Sequence, residues 1–315
     1  MALAPIGFVR LPPHRESSFD HGDVRISSGR IYVAHTAADA VEVIDGESLA
    51  HAATIPGCPE ASGVLCAQDS GLVFAAARAA GKVLVIEADG LLLTREIPTG
   101  PRPNGLAWND GAGTLLVADV EDFRARLHRA DTAELIGHVE LPGRPRWCVY
   151  DSAGDRFLVN IRDPACVAVV AGEPPRLVDR WKVSAAGPHG LDLDVAGGRA
   201  FVANDGGAVS VLDLATGRET GRVPIAGQPD AIWFNPECQL LYVAIGAPGL
   251  VDVIDTAALR RSQTVVTEEG AHTTAFDRAR QRLIVFMPAT CRAAFYQETS
   301  GDGAQGRLQR GEDAP

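Results

Sequence analysis

Imidazole, carboxylate, amide and guanidinium groups recur in this chain at a nearly constant interval. From Asn104 through Arg146, His189 and Asp230 to His272 the steps are 42, 43, 41 and 42 residues. Reading down the repeats toward the N-terminus, the corresponding residues are Glu60, with Ser62 as the alternative because that unit's entry segment reads as longer, and then His21. If these positions meet in space, three imidazoles and a carboxylate suit Zn²⁺ or a neighbouring transition ion such as Mn²⁺. The oxygen-rich subset Glu60, Asn104 and Asp230 instead suits Ca²⁺ or Mg²⁺. The metal-ligand candidates are therefore His21, Glu60, Asn104, His189, Asp230 and His272. A divalent ion there would polarise a carbonyl or activate water. His189, His272 or Glu60 would serve as general base or acid. Arg146, followed by Trp147, either clamps a substrate carboxylate or enolate or neutralises Asp230 or Glu60 across the site. A single histidine at such a place is a hydrated surface residue; three at matched positions point to chemistry.

The elements that must bring them together are short strands. Each polar residue opens an apolar run that ends in Asp or Asn, as in Pro188-His189-Gly190-Leu191-Asp192-Leu193-Asp194 and Pro103-Asn104-Gly105-Leu106-Ala107-Trp108-Asn109. A second run of the Tyr-Val-Ala kind follows, then two more strand-like segments. A unit of this length with four strands is the signature of a β-propeller, whose innermost strands line a central channel. Residues opening the inner strands then form a ring at one mouth. Six complete units run from Val24 to Thr267. A seventh has only three strands, ending at Gln297, and would leave an exposed edge. The strand-like Ile6-Gly7-Phe8-Val9-Arg10-Leu11 is expected to supply the missing outer strand. The expected fold is all-β: a seven-bladed propeller of four-stranded antiparallel blades over residues 1–298, with a disordered tail over 299–315.

Some 14 or 15 residues beyond the ring, second strands return to the same mouth, as from Asn104 to Asp119 and from His189 to Asn204. His35, Asp119, Asn160 and Asn204 form this expected second tier, with Arg78 and Arg162 on adjacent loops and Trp147 as an aromatic shelf. Such groups would fix imidazole tautomers or bind substrate. Trp108 and Trp233 are read as packing between blades, and the Asp or Asn closing each inner strand as a turn cap.

With 29 basic and 40 acidic residues the net charge is −11, which repels a polyanion, so nucleic acid is not an expected partner. Arg124, Arg126 and Arg129 lie among Glu121, Asp122 and Asp131, which reads as a solvated hairpin rather than a basic patch. No leader-like apolar run opens the chain and no stretch of about 18 apolar residues occurs, so a membrane is not expected either. The six cysteines form no CxxC pair and are expected to be reduced core residues. A cytoplasmic, monomeric protein with a small-molecule substrate or ligand is the reading. No P-loop, strand-borne GxGxxG or GxSxG elbow is present.

The pairs Arg30-Ile31-Tyr32-Val33-Ala34-His35 with Val41-Glu42-Val43-Ile44-Asp45, and Leu240-Leu241-Tyr242-Val243-Ala244 with Val251-Asp252-Val253-Ile254-Asp255, resemble the YVTN-repeat, YncE-like propellers. The resemblance covers most of residues 20–297 and implies the seven-bladed fold, in a family that contains many unassigned binding proteins. One blade, Pro103-Asn104-Gly105-Leu106-Ala107-Trp108 followed by Leu116-Val117-Ala118-Asp119, is similar to the senescence-marker-protein/gluconolactonase family. That similarity implies metal binding by Asn104, with Glu60 and Asp230 as counterparts by blade position, although those enzymes have six blades. The expected activity is hydrolysis of a lactone or ester. A lyase-type proton abstraction, as in the virginiamycin B lyases, is the close variant, with His189 or His272 as base. The alternative is a non-catalytic ligand-binding or interaction scaffold.

Overall fold

Short apolar runs broken by Gly- and Asp-rich turns can bury both faces only if small sheets stack against one another. The computed structural model describes residues 2–299, which form seven four-stranded antiparallel sheets. The inner strands of blades 1 to 6 are Phe19–Arg25, Ala61–Ala67, Pro103–Asn109, Pro145–Asp151, Pro188–Asp194 and Gln228–Asn235. Blade 7 has Thr273–Asp277 innermost and Ala2–Arg10 outermost. The N-terminal strand pairs antiparallel with Arg292–Thr299, from Arg10 opposite Arg292 to Ala2 opposite Thr299. The expected closure is therefore observed, and Thr299 belongs to the last strand rather than to the tail. Residues 300–315, expected to be disordered, lie outside the described residues.

Second strands are almost wholly buried, as in Arg30–His35 and Leu72–Ala77. Their continuous apolar character follows from packing against blades on both faces. Outer strands alternate instead, as Ala50–Pro56 does, because one face meets water. The six cysteines form no disulfide, and Cys58, Cys66, Cys148 and Cys166 are buried. Turn capping is also as read: Asp194 accepts the Gly197 N–H at 2.8 Å and Asn109 the Ala112 N–H at 3.2 Å. Arg126 pairs with Asp119 and Asp122, and Arg124 with Glu140, so that hairpin carries no free basic surface. Among the described residues no helix is long and apolar enough to cross a membrane.

Two local devices aim the start of each inner strand. In blades 1 to 6 the pairing register slips there, between Pro188 and Leu191 for example, so the intervening residues leave the ladder. Bulges of this kind re-aim side chains. A glycine then lets neighbouring inner strands touch. A Cβ on Gly190 would lie 2.2 Å from the Asp230 carbonyl oxygen, and one on Gly105 2.4 Å from that of Arg146.

Candidate functional site

The residue that follows each strand-opening pair forms the ring. Phe19 lies opposite His35, Ala61 opposite Ala77 and Pro188 opposite Asn204. By that register the ring is Asp20, Ser62, Asn104, Arg146, His189, Asp230 and His272. Five members are those expected; two are corrected. His21 sits one position deeper than the ring, and its neighbour Asp20 takes the place. Glu60 sits in a left-handed turn (φ 47°) on the loop 57–60, which is no longer than the matching loops 99–102 and 141–144, with 44% of its side chain exposed and an ion pair to Arg102 at 3.0 Å. Ser62 occupies its ring position, where its buried hydroxyl donates to the Pro103 carbonyl at 3.0 Å. A 42-residue step taken back from Asn104 lands on Ser62 and then on Asp20, so the repeat interval itself holds across all of these blades.

The ring carries two charge networks. On one side Asp20 Oδ1 lies 2.6 Å from His21 Nδ1, and Arg78 donates to Asp20 Oδ2 at 2.7 Å and to Asn104 Oδ1. Burial alone would raise the Asp20 carboxyl; the hydrogen bond and charge of His21, with Arg78, hold it far below the ordinary range. On the other side Arg162 pairs with Asp205 Oδ2 at 2.8 Å, and Asp205 Oδ1 meets His189 Nδ1 at 3.0 Å. His189 Nε2 lies 3.2 Å from Asp230 Oδ1, and His272 Nδ1 lies 3.7 Å from Asp230 Oδ2. Burial would raise Asp205 as well, but His189, Arg162 and Arg146 hold it low.

Hydrogen-bond roles fix the free nitrogens. A carbonyl can only accept, so His272 Nε2, 3.0 Å from the Phe19 oxygen, carries a proton. Likewise His189 Nδ1–H donates to the Asp205 carboxylate. In neutral imidazoles the two remaining lone pairs, on His189 Nε2 and His272 Nδ1, both face Asp230. The buried Asp230 Oδ1 has no hydrogen-bond partner. Two lone pairs against one carboxylate repel, so this gap calls for positive charge: a second imidazole proton or a cation.

Arg146 stands beside it. Among the described residues its guanidinium makes neither hydrogen bond nor ion pair, and its buried Nε is unsatisfied. Burial lowers its pKa from the ordinary guanidinium value, opposed by the charge of Asp230. An arginine remains cationic regardless, so it is a fixed anion-binding charge.

The expected second tier divides. Arg78 and Arg162 reach the ring networks described above. Asn160 donates to the carbonyls of His189 and Gly190, at 2.9 Å each, and so holds the backbone that carries the imidazole. Trp147 stacks on His21, ring centroids 3.8 Å apart and 7° from parallel. The remaining three are turned into their own blades. His35 bonds Glu42 at 3.0 Å and Ser17 at 2.9 Å, Asn204 bonds Ser210 and two backbone carbonyls, and Asp119 takes Arg126. Burial pushes Asp119 up to about 6 even against Arg126. Asp20 and Asp205 are site residues that the repeat reading passed over; each is adjacent to a named candidate, and only the register separates them.

As to metal ligands, Asn104 Oδ1 already accepts from Arg78, His21 Nδ1 faces Asp20, and Glu60 is on the rim. Among the described residues no group of three or more His, Cys, Asp or Glu is gathered as a metal site. Of the expected set, His189, Asp230 and His272 alone converge, pairwise through Asp230.

No family model matches the chain, and no curated protein matches it. Among solved structures it is similar to a chain of hydrazine synthase from Kuenenia stuttgartiensis, with a TM-score of 0.82 and 12% identity. That alignment covers 92% of this chain and 98% of the other. At such identity the likeness is one of fold, the seven-bladed propeller.

Proposed function

We propose that the ring mouth is the active site of an enzyme that performs acid–base chemistry on a small carboxylate-bearing molecule, a lyase-type proton abstraction beside a carbonyl. The observation that carries this is the Arg146 guanidinium, unpaired among the described residues and within the field of Asp230, where the inner nitrogens of two imidazoles meet while their outer nitrogens are tied down. Arg146 holds the substrate carboxylate. His189, with Nδ1–H oriented by Asp205, takes the α-proton at Nε2, and the C–H electron pair moves to the carbonyl as enolate, which Arg146 also stabilises. As the carbonyl re-forms, the pair expels the β-substituent, and His272, entering the step as an imidazolium with its second proton on Nδ1 beside Asp230, gives up that proton to the leaving group.

A divalent ion is the second reading, favoured by the unsatisfied Asp230 Oδ1 facing His189 while Oδ2 faces His272. His189, Asp230 and His272 would hold the ion, which would polarise a carbonyl or activate water for hydrolysis of a lactone or ester. The Tyr-Val-Ala repeats support a place among the YVTN-repeat, YncE-like propellers.

Two measurements test this. Purified protein is incubated with Zn²⁺ or Mn²⁺, dialysed and analysed for metal, beside the His189→Ala/His272→Ala double variant. Separately, a panel of small β-substituted carboxylates in D₂O is followed by NMR for deuterium uptake and elimination. The proton-abstraction reading expects deuterium uptake by metal-free protein, reduced about 100-fold or more in Arg146→Ala. Uptake that requires one bound ion per chain moves the assignment to the metal reading. Neither exchange nor bound metal returns the chain to a ligand-binding scaffold.

A further inference from the structure

Beneath the ring the channel holds a second feature of different character. His21 and Trp147 come from blades 1 and 4, on opposite sides of the wheel, and their stacked rings span the channel just below the ring residues. From that stack to the far mouth runs a cavity of about 400 Å³, within the size range of small-molecule sites. Its walls are aromatic: Trp108, Trp147, Trp233, Tyr150 and Phe276 all line it. Trp108 and Trp233, read from the sequence as packing between blades, present a face to this space.

The charged groups of the cavity are unbalanced. Asp23, Asp69, Asp110 and Asp192 line it, against the single cation Arg278. Asp23 and Asp192 occupy the same position in blades 1 and 5, opposite Tyr32 and Phe201. Each carboxylate accepts two backbone N–H groups, from Val24 and Cys66 and from Leu193 and Phe234. The other five blades have Leu65, Ala107, Val149, Trp233 or Ala275 there, so joining inner strands does not require an aspartate. Asp23 is 7% exposed and, among the described residues, faces no side-chain cation within ion-pair distance; Arg278 reaches 4.0 Å from Asp192. Burial raises both carboxyls, and the charge of Asp192 adds to the rise at Asp23.

The geometry points to a second binding site, in which this cavity takes a small organic cation: an ammonium group near Asp23 and Asp192, carried on an aromatic or apolar body that packs on the tryptophans. Aromatic faces attract such cations most strongly when water is excluded, and an excess of carboxylate selects the sign of the charge. An anion of the same shape would meet the same carboxylates and be rejected. The site lies on the far side of the His21–Trp147 stack from Arg146 and does not depend on the chemistry proposed at the mouth.

The probes are 2-phenylethylammonium, neutral 2-phenylethanol and anionic 3-phenylpropionate, read by tryptophan fluorescence and calorimetry on the intact protein. The ammonium is expected to bind at least about tenfold more tightly than the alcohol, and the propionate not at all. Asp192→Asn should weaken ammonium binding about tenfold, whereas Arg278→Ala, which frees Asp192 from its one competitor, should strengthen it about threefold. The Arg278 side chain is 43% exposed and makes no other ion pair among the described residues, so its variant is expected to keep the fold whatever happens at Asp192. Equal binding of the propionate, no ammonium binding, or indifference to both substitutions would overturn the proposal. None of these readouts involves turnover, so the mouth and the cavity are judged separately.

Discussion

The two levels of the channel treat buried carboxylates in opposite ways. At the ring, Asp20 and Asp205 lie against His21, Arg78, His189 and Arg162, and partner charge outweighs desolvation, so both are held below the ordinary range. A few residues deeper, Asp23 and Asp192 meet backbone N–H groups and aromatic walls; desolvation wins and both are raised, Asp23 to about 7. Asp20, Asp23 and Asp192 sit on inner strands, whereas Asp205 lies on the turn just after the second strand Arg199–Asn204. What differs is whether the neighbouring loop brings a cation to the spot. Burial therefore does not by itself define a reactive carboxylate in this protein; the loops at the ring mouth do.

The sharpest test of how tightly the levels are joined is Gly190→Ala, since Gly190 lies between His189 and the cavity wall. With the Asp230 carbonyl 2.2 Å from the new Cβ, two inner strands must separate. We expect a loss of about 3 kcal/mol or more in urea unfolding, with ring and cavity affected together. A variant of near-native stability would mean that blades can shift there freely.

The comparison itself is tested by the same change at both levels. Asp20→Asn leaves Arg78 and His21 without their counter-charge and should cost about 2–3 kcal/mol at pH 7. Asp23→Asn removes no ion pair but sets an amide NH2 against one of the two backbone N–H groups, and should cost about 1–3 kcal/mol; the pH dependence therefore separates the two levels more cleanly than the loss of stability. Their pH dependences should also have opposite sign. Asp23 holds its proton more tightly folded than unfolded, rising from 3.8 to about 7, so its contribution to stability falls as pH climbs through that window and is flat above it. Asp20 and Asp205 are depressed, so their contribution is present above the unfolded value and lost on acidification below it. Carboxyl NMR titrations that place Asp23 among the ordinary carboxylates would remove the distinction.

The smallest effect belongs to Glu60→Ala. A half-exposed pair with Arg102 is worth little, and we expect a change within about 0.5 kcal/mol in denaturant unfolding and no change at the ring. A large loss of activity or metal binding in this variant would put the rim back into the site.

Much of this was readable from residue order. The interval between Asn104, Arg146, His189, Asp230 and His272 is a property of the repeat, and closure by the N-terminal strand followed from an unfinished last unit. His21 and Glu60 miss the ring by one and two residues; the strict 42-residue step back from Asn104 lands on Ser62, the alternative named from the sequence, and then on Asp20. The second tier failed for a structural reason. His35, Asp119 and Asn204 end their strands where expected, but alternation along the strand turns them into their own blades, and the residue after Asn204, Asp205, reaches the imidazole instead.

Sequence alone determined the wheel: turn spacing and apolar strand runs permit few other ways to bury these segments, and the repeat sets which positions share a mouth. Only the folded arrangement decided partners and charge. Side chains hundreds of residues apart acquire or lose a counter-ion according to backbone offsets of a few ångströms, and Coulomb energy at short range in a dry channel is steep enough for those offsets to choose between a held proton and a released one.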